Sequence, residues 1–139
     1  MKEGYSLIDE IQLPSVISSI GVVESLIDKA AAELAFNEDV YGNVLIAVTE
    51  AVNNAIIHGN KQNANAFISV QVLKNNADFC FVVTDKGVGF DYNNLPDPTA
   101  PENIEKENGR GVFLMKSLAD EIDFNESGNE VSIYFYTND

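Results

Sequence analysis

The spacing of apolar residues changes character several times along the chain. In residues 5–13 apolar side chains alternate loosely with polar ones and stop at Pro14, a pattern typical of an edge strand. From Ser15 to Leu34 they recur every three or four residues, which predicts an amphipathic helix. This apolar stripe consists of Val16, Ile20, Val23, Leu26, Ile27, Ala30, Ala31 and Leu34. A strand followed by a long helix therefore opens the fold.

Signals at both ends predict a second helix. Asn37 is a favourable N-cap, and the acidic Glu38 and Asp39 follow it in the first turn, where the helix dipole stabilises negative charge. The helical pattern continues through Ala55 and ends at Gly59, a residue type that commonly terminates helices.

Short apolar runs predict strands in the next part of the chain. Residues 66–74 and 78–84 flank Asn75-Asn76, a pair that tolerates a left-handed backbone, so they predict a hairpin. A polar loop of about 20 residues follows, and loops of that length inside a domain are usually functional.

The last part of the chain contains a short predicted helix, 111–119, and two further strands. These strands, 121–126 and 130–137, flank a turn at Ser127-Gly128-Asn129. Clustered strands with two long helices indicate an α+β fold. We expect a two-layer sandwich in which the sheet is mixed but mostly antiparallel and the helices cover one face.

Composition narrows the setting and the partners. The 139 residues are the size of one domain, so we expect a single domain over 1–139. Eight basic residues against 22 acidic ones give a net charge of −14, which argues against nucleic-acid binding and against docking on an anionic membrane. No signal segment or apolar run of membrane-spanning length is apparent, and the one cysteine, Cys80, cannot form an internal disulfide. We expect a cytoplasmic protein that binds neither nucleic acid nor membrane.

The second predicted helix places Glu50, Asn54 and His58 on one face, because each follows the previous one by four residues. A carboxylate and an amide one turn apart suit Mg²⁺ and an activated hydroxyl: Glu50 can accept a proton, and Asn54 can offer its carbonyl oxygen. The alternative is a solvated helix face, with His58 merely favourable at a helix C-terminus. Ile57 falls on the same polar face, which favours a face that lines a pocket.

A second candidate segment, D-x-G-x-G, comes directly after an apolar strand. Asp85 at the strand end can accept a hydrogen bond from a donor such as an exocyclic amine, and Gly87 and Gly89 allow a ligand to approach the backbone. The alternative is an ordinary tight turn.

The third candidate segment is Gly109-Arg110-Gly111, where glycines open a helix. Free N–H groups at a helix N-terminus can bind an anion, and Arg110 can make a forked phosphate contact. The alternative is a flexible joint between loop and helix. Together the three segments predict a pocket with an adenine-type acceptor, a metal site and a phosphate cradle.

In chain order, these segments resemble the ATP-binding boxes of the histidine-kinase-like (GHKL) ATPase superfamily, which includes gyrase, Hsp90, histidine kinases and MutL. Residues 50–59 are similar to its N box, 85–89 to its G1 box and 109–111 to its G2 box. Within the superfamily the chain most resembles the bacterial anti-sigma-factor serine/threonine kinases, through TEAVNNAIIHG at 49–59 and GVFLMKSLADEI at 111–122. The resemblance covers nearly the whole chain and implies a Bergerat-type ATP-binding fold.

The resemblance also implies a role for each site residue. Asn54 would ligate Mg²⁺, Glu50 would be the general base, and Asp85 would accept the adenine amino group. Residues 92–108 would form an ATP lid. The other expected nucleotide-binding residues are His58, Gly87, Gly89, Gly109, Arg110 and Gly111.

The implied reaction transfers the γ-phosphate of ATP, with Mg²⁺, to a serine or threonine of an anti-sigma-factor antagonist of the STAS type. Members also bind sigma factors directly, often as dimers, so a sigma factor and a second copy are further expected partners.

Two features of the lid and G2 box depart from the family pattern. Glu107 and Asn108 stand where members often have a basic residue, and Glu102 and Glu105 make the lid acidic. Two alternatives therefore stand beside the kinase: a partner-sequestering, ATP-dependent binding module with little or no turnover, and a separate ATP-binding subunit that acts with a receiver or histidine-bearing protein. Glu50 favours the kinase, since a pure binding module needs no base.

Overall fold

The computed structural model describes residues 2–59, 65–76, 78–85, 115–125 and 129–136. Its strands are β1 (Ser6–Pro14), β2 (Phe67–Asn75), β3 (Asp78–Thr84), β4 (Glu121–Phe124) and β5 (Glu130–Phe135). Its long helices are α1 (Ser19–Leu34) and α2 (Glu38–Asn54). A π-helical turn, Ala55–Gly59, extends α2, and residues 115–118 are also helical.

The strands form one five-stranded sheet in the order β1-β2-β3-β5-β4. Every pairing within the described strands is antiparallel, so the expected parallel component is not seen there. The predicted α+β class and the edge position of β1 are confirmed.

Two local predictions rest on asparagines and are confirmed. The Asn37 side chain accepts a hydrogen bond from the Val40 N–H at 2.8 Å, which caps the start of α2. Asn76 has φ 55°, the left-handed conformation that closes the β2–β3 hairpin.

The first helix begins later than predicted, at Ser19 rather than Ser15. The sheet explains the difference, because the Ser15 N–H donates to the Ala66 carbonyl at 3.1 Å and so continues the pairing of β1 with the chain before β2. The Ser15 hydroxyl donates to the same carbonyl at 2.6 Å. Residue 15 is therefore tied to the sheet and cannot start a helix.

The face of the sheet toward α1 and α2 carries the main core. Alternate residues of three strands point to it, as the period of two in a strand requires. The Phe79 ring stacks on Phe36 and Phe135, with centroid distances of 4.3 and 5.3 Å. The buried strand residues of this core are Leu13, Ile68, Val70, Val72, Phe79, Phe81, Val83, Val131, Ile133 and Phe135.

The opposite face of the sheet carries a smaller buried cluster. It consists of Leu73, Cys80, Val82 and Tyr134, with Tyr5 and Tyr136 packed against it. Burial raises the pKa of the Cys80 thiol to about 12. Cys80 is thus a buried strand residue.

The helical stretch Glu38–His58 has 21 residues, and its most apolar 18-residue window has a mean hydropathy of 1.3, so it is long and apolar enough to span a membrane by length and composition. This corrects the expectation that no segment approaches that length. Its buried residues supply a core stripe against the sheet, which accounts for the hydropathy of a helix that packs inside a domain. That stripe is Val44, Ala47, Val48, Ala51 and Val52.

Candidate functional site

A pocket lies where the C-terminal end of α2 meets the ends of β3 and β5. The space between its atoms, together with the open solvent at its mouth, amounts to about 300 Å³. Its polar lining residues are Asn54, Asp85, Asn129 and Glu130. The other lining residues within the described part of the chain are apolar: Ala51, Ala55, Val83, Met115, Phe124 and Val131. A mostly apolar pocket with a few polar groups suits a flat organic ring whose edge forms hydrogen bonds.

Asn54 is the last residue of α2 and is only 6% exposed. Its Nδ2 is buried and has no hydrogen-bond partner in the part of the chain that the structure describes. Burying an unpaired amide costs about 1–3 kcal/mol, so a ligand that pairs with it gains that energy. The amide is therefore poised for a group that enters the pocket.

Asp85 follows the last residue of β3 and is 7% exposed. Its N–H donates to the Asn129 carbonyl at 2.9 Å, so its backbone is held against the start of β5. Along β3, Phe79, Phe81 and Val83 point toward the helices, and the same alternation directs Asp85 to that side. The structure thus brings Asn54 and Asp85, 31 residues apart in sequence, into one pocket.

Glu50 and His58 are both half-buried, and neither lines this pocket. Glu50 lies one turn before Asn54 on regular α-helix. His58 lies in the π-helical turn, where i→i+5 bonding replaces i→i+4 bonding. The even four-residue spacing assumed for the helix face therefore ends at Asn54.

The π-helical turn also changes the position of Ile57. The α-helical pattern predicts Ile57 on the polar face, lining a pocket, but its side chain packs against the core, beside the fully buried Ile56. A π-helical turn rotates the chain by a smaller angle per residue than an α-helix does, so the Ile57 side chain is turned partly away from that face. The prediction that Ile57 marks a pocket-lining helix face is therefore wrong.

The residues present fit Mg²⁺ and a nucleotide in their donor chemistry. The Asn54 side chain has an amide oxygen, a ligand type that Mg²⁺ accepts, and an Nδ2 without a partner among the described residues that can donate to a phosphate oxygen; Glu50 supplies a carboxylate one turn away. No group of three His, Cys, Asp or Glu side chains suited to a metal occurs among the described residues. Mg²⁺ commonly takes one or two protein ligands together with substrate phosphates, so this donor set suits it.

Several predicted site residues lie outside the described residues. They are Gly87 and Gly89 of the D-x-G-x-G segment, Gly109, Arg110 and Gly111 of the glycine-rich helix start, and the lid at 92–108.

The structure adds pocket residues that the sequence patterns did not single out. Asn129 was placed in a turn, and Met115 and Phe124 had no assigned role, yet all three line the pocket. Alternation back from Val131 puts Asn129 on the helix side of β5, a signal that could have found it. No local pattern marks Met115 or Phe124.

Comparison with known proteins identifies the family. The histidine kinase-like ATPase domain family matches residues 14–135. Serine-protein kinase RsbW of Staphylococcus aureus, strains JH9 and Newman, is 31% identical over 137 residues, covering 91% of this chain and 85% of RsbW. A crystal structure of the RsbU and RsbW domains of Rv1364c from Mycobacterium tuberculosis superposes with a TM-score of 0.61 at 13% identity, over 92% of this chain and 32% of that one. The chain belongs to the histidine-kinase-like ATPase family, and within it is similar to the anti-sigma-factor serine kinases.

Proposed function

We propose that the chain is an ATP-binding serine/threonine protein kinase of the anti-sigma-factor type. It transfers the γ-phosphate of ATP to a serine or threonine of a STAS-type antagonist and thereby controls a sigma factor. One observation carries the proposal: Asn54 and Asp85, from two distant segments, share one pocket in a chain 31% identical to a serine-protein kinase.

Each site residue has a task in this proposal. Asp85 accepts a hydrogen bond from the adenine amino group, and the apolar wall packs against the ring. The Asn54 amide oxygen and the nucleotide phosphates hold Mg²⁺, which supplies charge neutralisation during transfer. His58, Gly87, Gly89, Gly109, Arg110 and Gly111 complete the proposed nucleotide site.

Glu50 is the proposed general base. Its carboxylate takes the proton of the acceptor hydroxyl as the hydroxyl oxygen bonds to the γ-phosphorus and the bond to the ADP oxygen breaks. Glu50 does not line the pocket and stands one turn from Asn54, which supports a role with a protein hydroxyl rather than with the base.

The wider setting follows from the same proposal. We place the whole of residues 1–139 in one domain with a lid at 92–108, acting in the cytoplasm. Its net charge of −14 favours partners with basic surfaces over nucleic acid or anionic membranes. A sigma factor and a second copy of the chain are further proposed partners.

Labelled ATP and a purified STAS-type antagonist test the reaction. The wild-type protein is expected to produce phosphoserine or phosphothreonine on the antagonist. Glu50→Gln is expected to bind Mg·ATP normally but to transfer at least about 100-fold more slowly, the usual contribution of a general base. Glu24→Gln, at an exposed site on α1, is the matched control and should transfer at the wild-type rate. Equal rates for Glu50→Gln and wild type would remove Glu50 as the base.

A second candidate function is an ATP-dependent switch that sequesters a partner with little turnover. Glu107 and Asn108, where related kinases often have a basic residue, favour it. Stable ATP binding without transfer to any antagonist would select the switch.

A further inference from the structure

The described turn residues beside the pocket form a chain of hydrogen bonds. Asn125, which follows β4, donates from Nδ2 to the Asn129 Oδ1 at 2.6 Å. The Asn125 backbone N–H donates to the Glu130 carbonyl at 3.0 Å, and the Glu130 N–H donates to the Asn125 Oδ1 at 3.2 Å. Asn125 therefore holds the start of β5 through its backbone and its side chain.

Asn129 passes this constraint to Asp85. Its carbonyl accepts the Asp85 N–H at 2.9 Å, and its Nδ2 donates to the Asp85 carbonyl at 3.4 Å. The backbone N–H and the backbone carbonyl of Asp85 thus both contact Asn129. The 2.9 Å bond joins two backbone groups and does not depend on the Asn129 side chain. The 3.4 Å bond depends on the orientation of the Asn129 amide, which Asn125 holds.

The position of this contact matters because β3 has ended at Thr84. The Asp85 N–H bond to the Asn129 carbonyl continues the register of the last ladder pair, Thr84 with Glu130, by one residue. The Asn129 side chain adds a second bond to the Asp85 backbone at this point, and both residues line the pocket.

We propose that Asn129, held by Asn125, is a positioning residue that places the Asp85 carboxylate for recognition of the exocyclic amine of a purine. The inference rests on the proposed function, since it assumes that the pocket binds ATP. Asn129 acts through Asp85, so its contribution exists only for a base that Asp85 can recognise.

A pair of nucleotides separates positioning from general support of the fold. ATP carries the 6-amino group, and purine riboside 5′-triphosphate lacks it. Asn129→Ala is expected to weaken ATP binding by about fivefold to tenfold, the value of one hydrogen bond, while the analogue changes by less than about twofold. Isothermal titration calorimetry in the presence of Mg²⁺ measures the affinities for ATP and for the analogue. Asn43→Ala, half-buried on α2 and outside the pocket lining, is the control and should change neither.

Unfolding of each nucleotide-free variant is measured alongside binding. If Asn129→Ala does not fold, Asn125→Ala carries the same test, because it releases the Asn129 amide and removes no side chain from the described pocket lining. A selective loss of ATP affinity supports the proposal. Equal losses for ATP and the analogue, or no loss for either, would overturn it while leaving the proposed function standing. A wild-type protein that binds neither nucleotide would overturn both.

Discussion

The Asn54 amide is expected to lower the stability of the nucleotide-free protein and to raise its affinity for nucleotide. Asn54→Leu tests both effects in one variant. Asn54 is 6% exposed, and its Nδ2 has no partner within the described residues. An unpaired buried polar group costs about 1–3 kcal/mol, and leucine is also the better helix former by a few tenths. Leucine has the same branched skeleton, and Asn54 borders the pocket rather than being enclosed on every side.

We therefore expect Asn54→Leu to stabilise the nucleotide-free protein by roughly 1–3 kcal/mol. For a chain of this length each kcal/mol raises Tm by about 3 °C, so the expected rise is about 3–9 °C. Saturating Mg·ATP at 100 times Kd should add about 2.7 kcal/mol to the wild type and nothing to the variant. Asn54 would then lower the stability of the nucleotide-free protein, as is common for polar residues that a site keeps for a ligand.

Thermal and urea unfolding followed by far-UV circular dichroism, with and without Mg·ATP, measure both effects. Asn53→Leu is the matched control, because its side chain is half-buried on the same helix and should gain only the small propensity term. An Asn54→Leu protein less stable than wild type would show that the amide is satisfied in the folded chain. A variant that still gains stability from Mg·ATP would remove Asn54 from the nucleotide site.

Two further predictions concern stability away from the pocket polar groups. Ile56 is 0% exposed in the π-helical turn, so Ile56→Ala should destabilise the protein by about 2–5 kcal/mol in a urea titration. Ile46 is 44% exposed on α2, so the control Ile46→Ala should cost under about 1 kcal/mol. Similar values for the two variants would place Ile56 outside the core. Burial raises the pKa of the Cys80 thiol from an ordinary value of 9.0 to about 12. Between these two pH values the folded protein keeps the thiol proton and the unfolded chain loses it. The free energy of unfolding therefore falls as the pH rises from about 9 to about 12. Cys80→Ala should flatten the decline by up to about 1.4 kcal/mol per pH unit, and an unchanged slope would contradict the shift.

Much of the fold could be predicted because its signals are local. The N-cap at Asn37 and the left-handed Asn76 each depend on one residue and its immediate neighbours, and both are confirmed. The strand and helix pattern of apolar residues also reports on local geometry, so the elements and the α+β class followed from it.

The ends of helices and strands are harder to predict from the sequence, because contacts with distant parts of the chain determine them. The apolar spacing predicts a helix from Ser15, yet this residue donates hydrogen bonds to Ala66, 51 residues away. The same holds at the end of α2, where the π-helical turn moves Ile57 toward the core and ends the regular spacing that linked Glu50, Asn54 and His58.

The sequence by itself determined which chemical groups the protein has: an acid and an amide on one helix, an aspartate after an apolar strand, and one arginine within a glycine-rich turn. The tertiary structure decided which of these groups meet. Asn54 and Asp85 share a pocket, and Asn129 joins them, because β3 pairs with β5 beneath the end of α2. Such contacts depend on strand order and register, which act over long sequence distances and leave no mark in a local pattern.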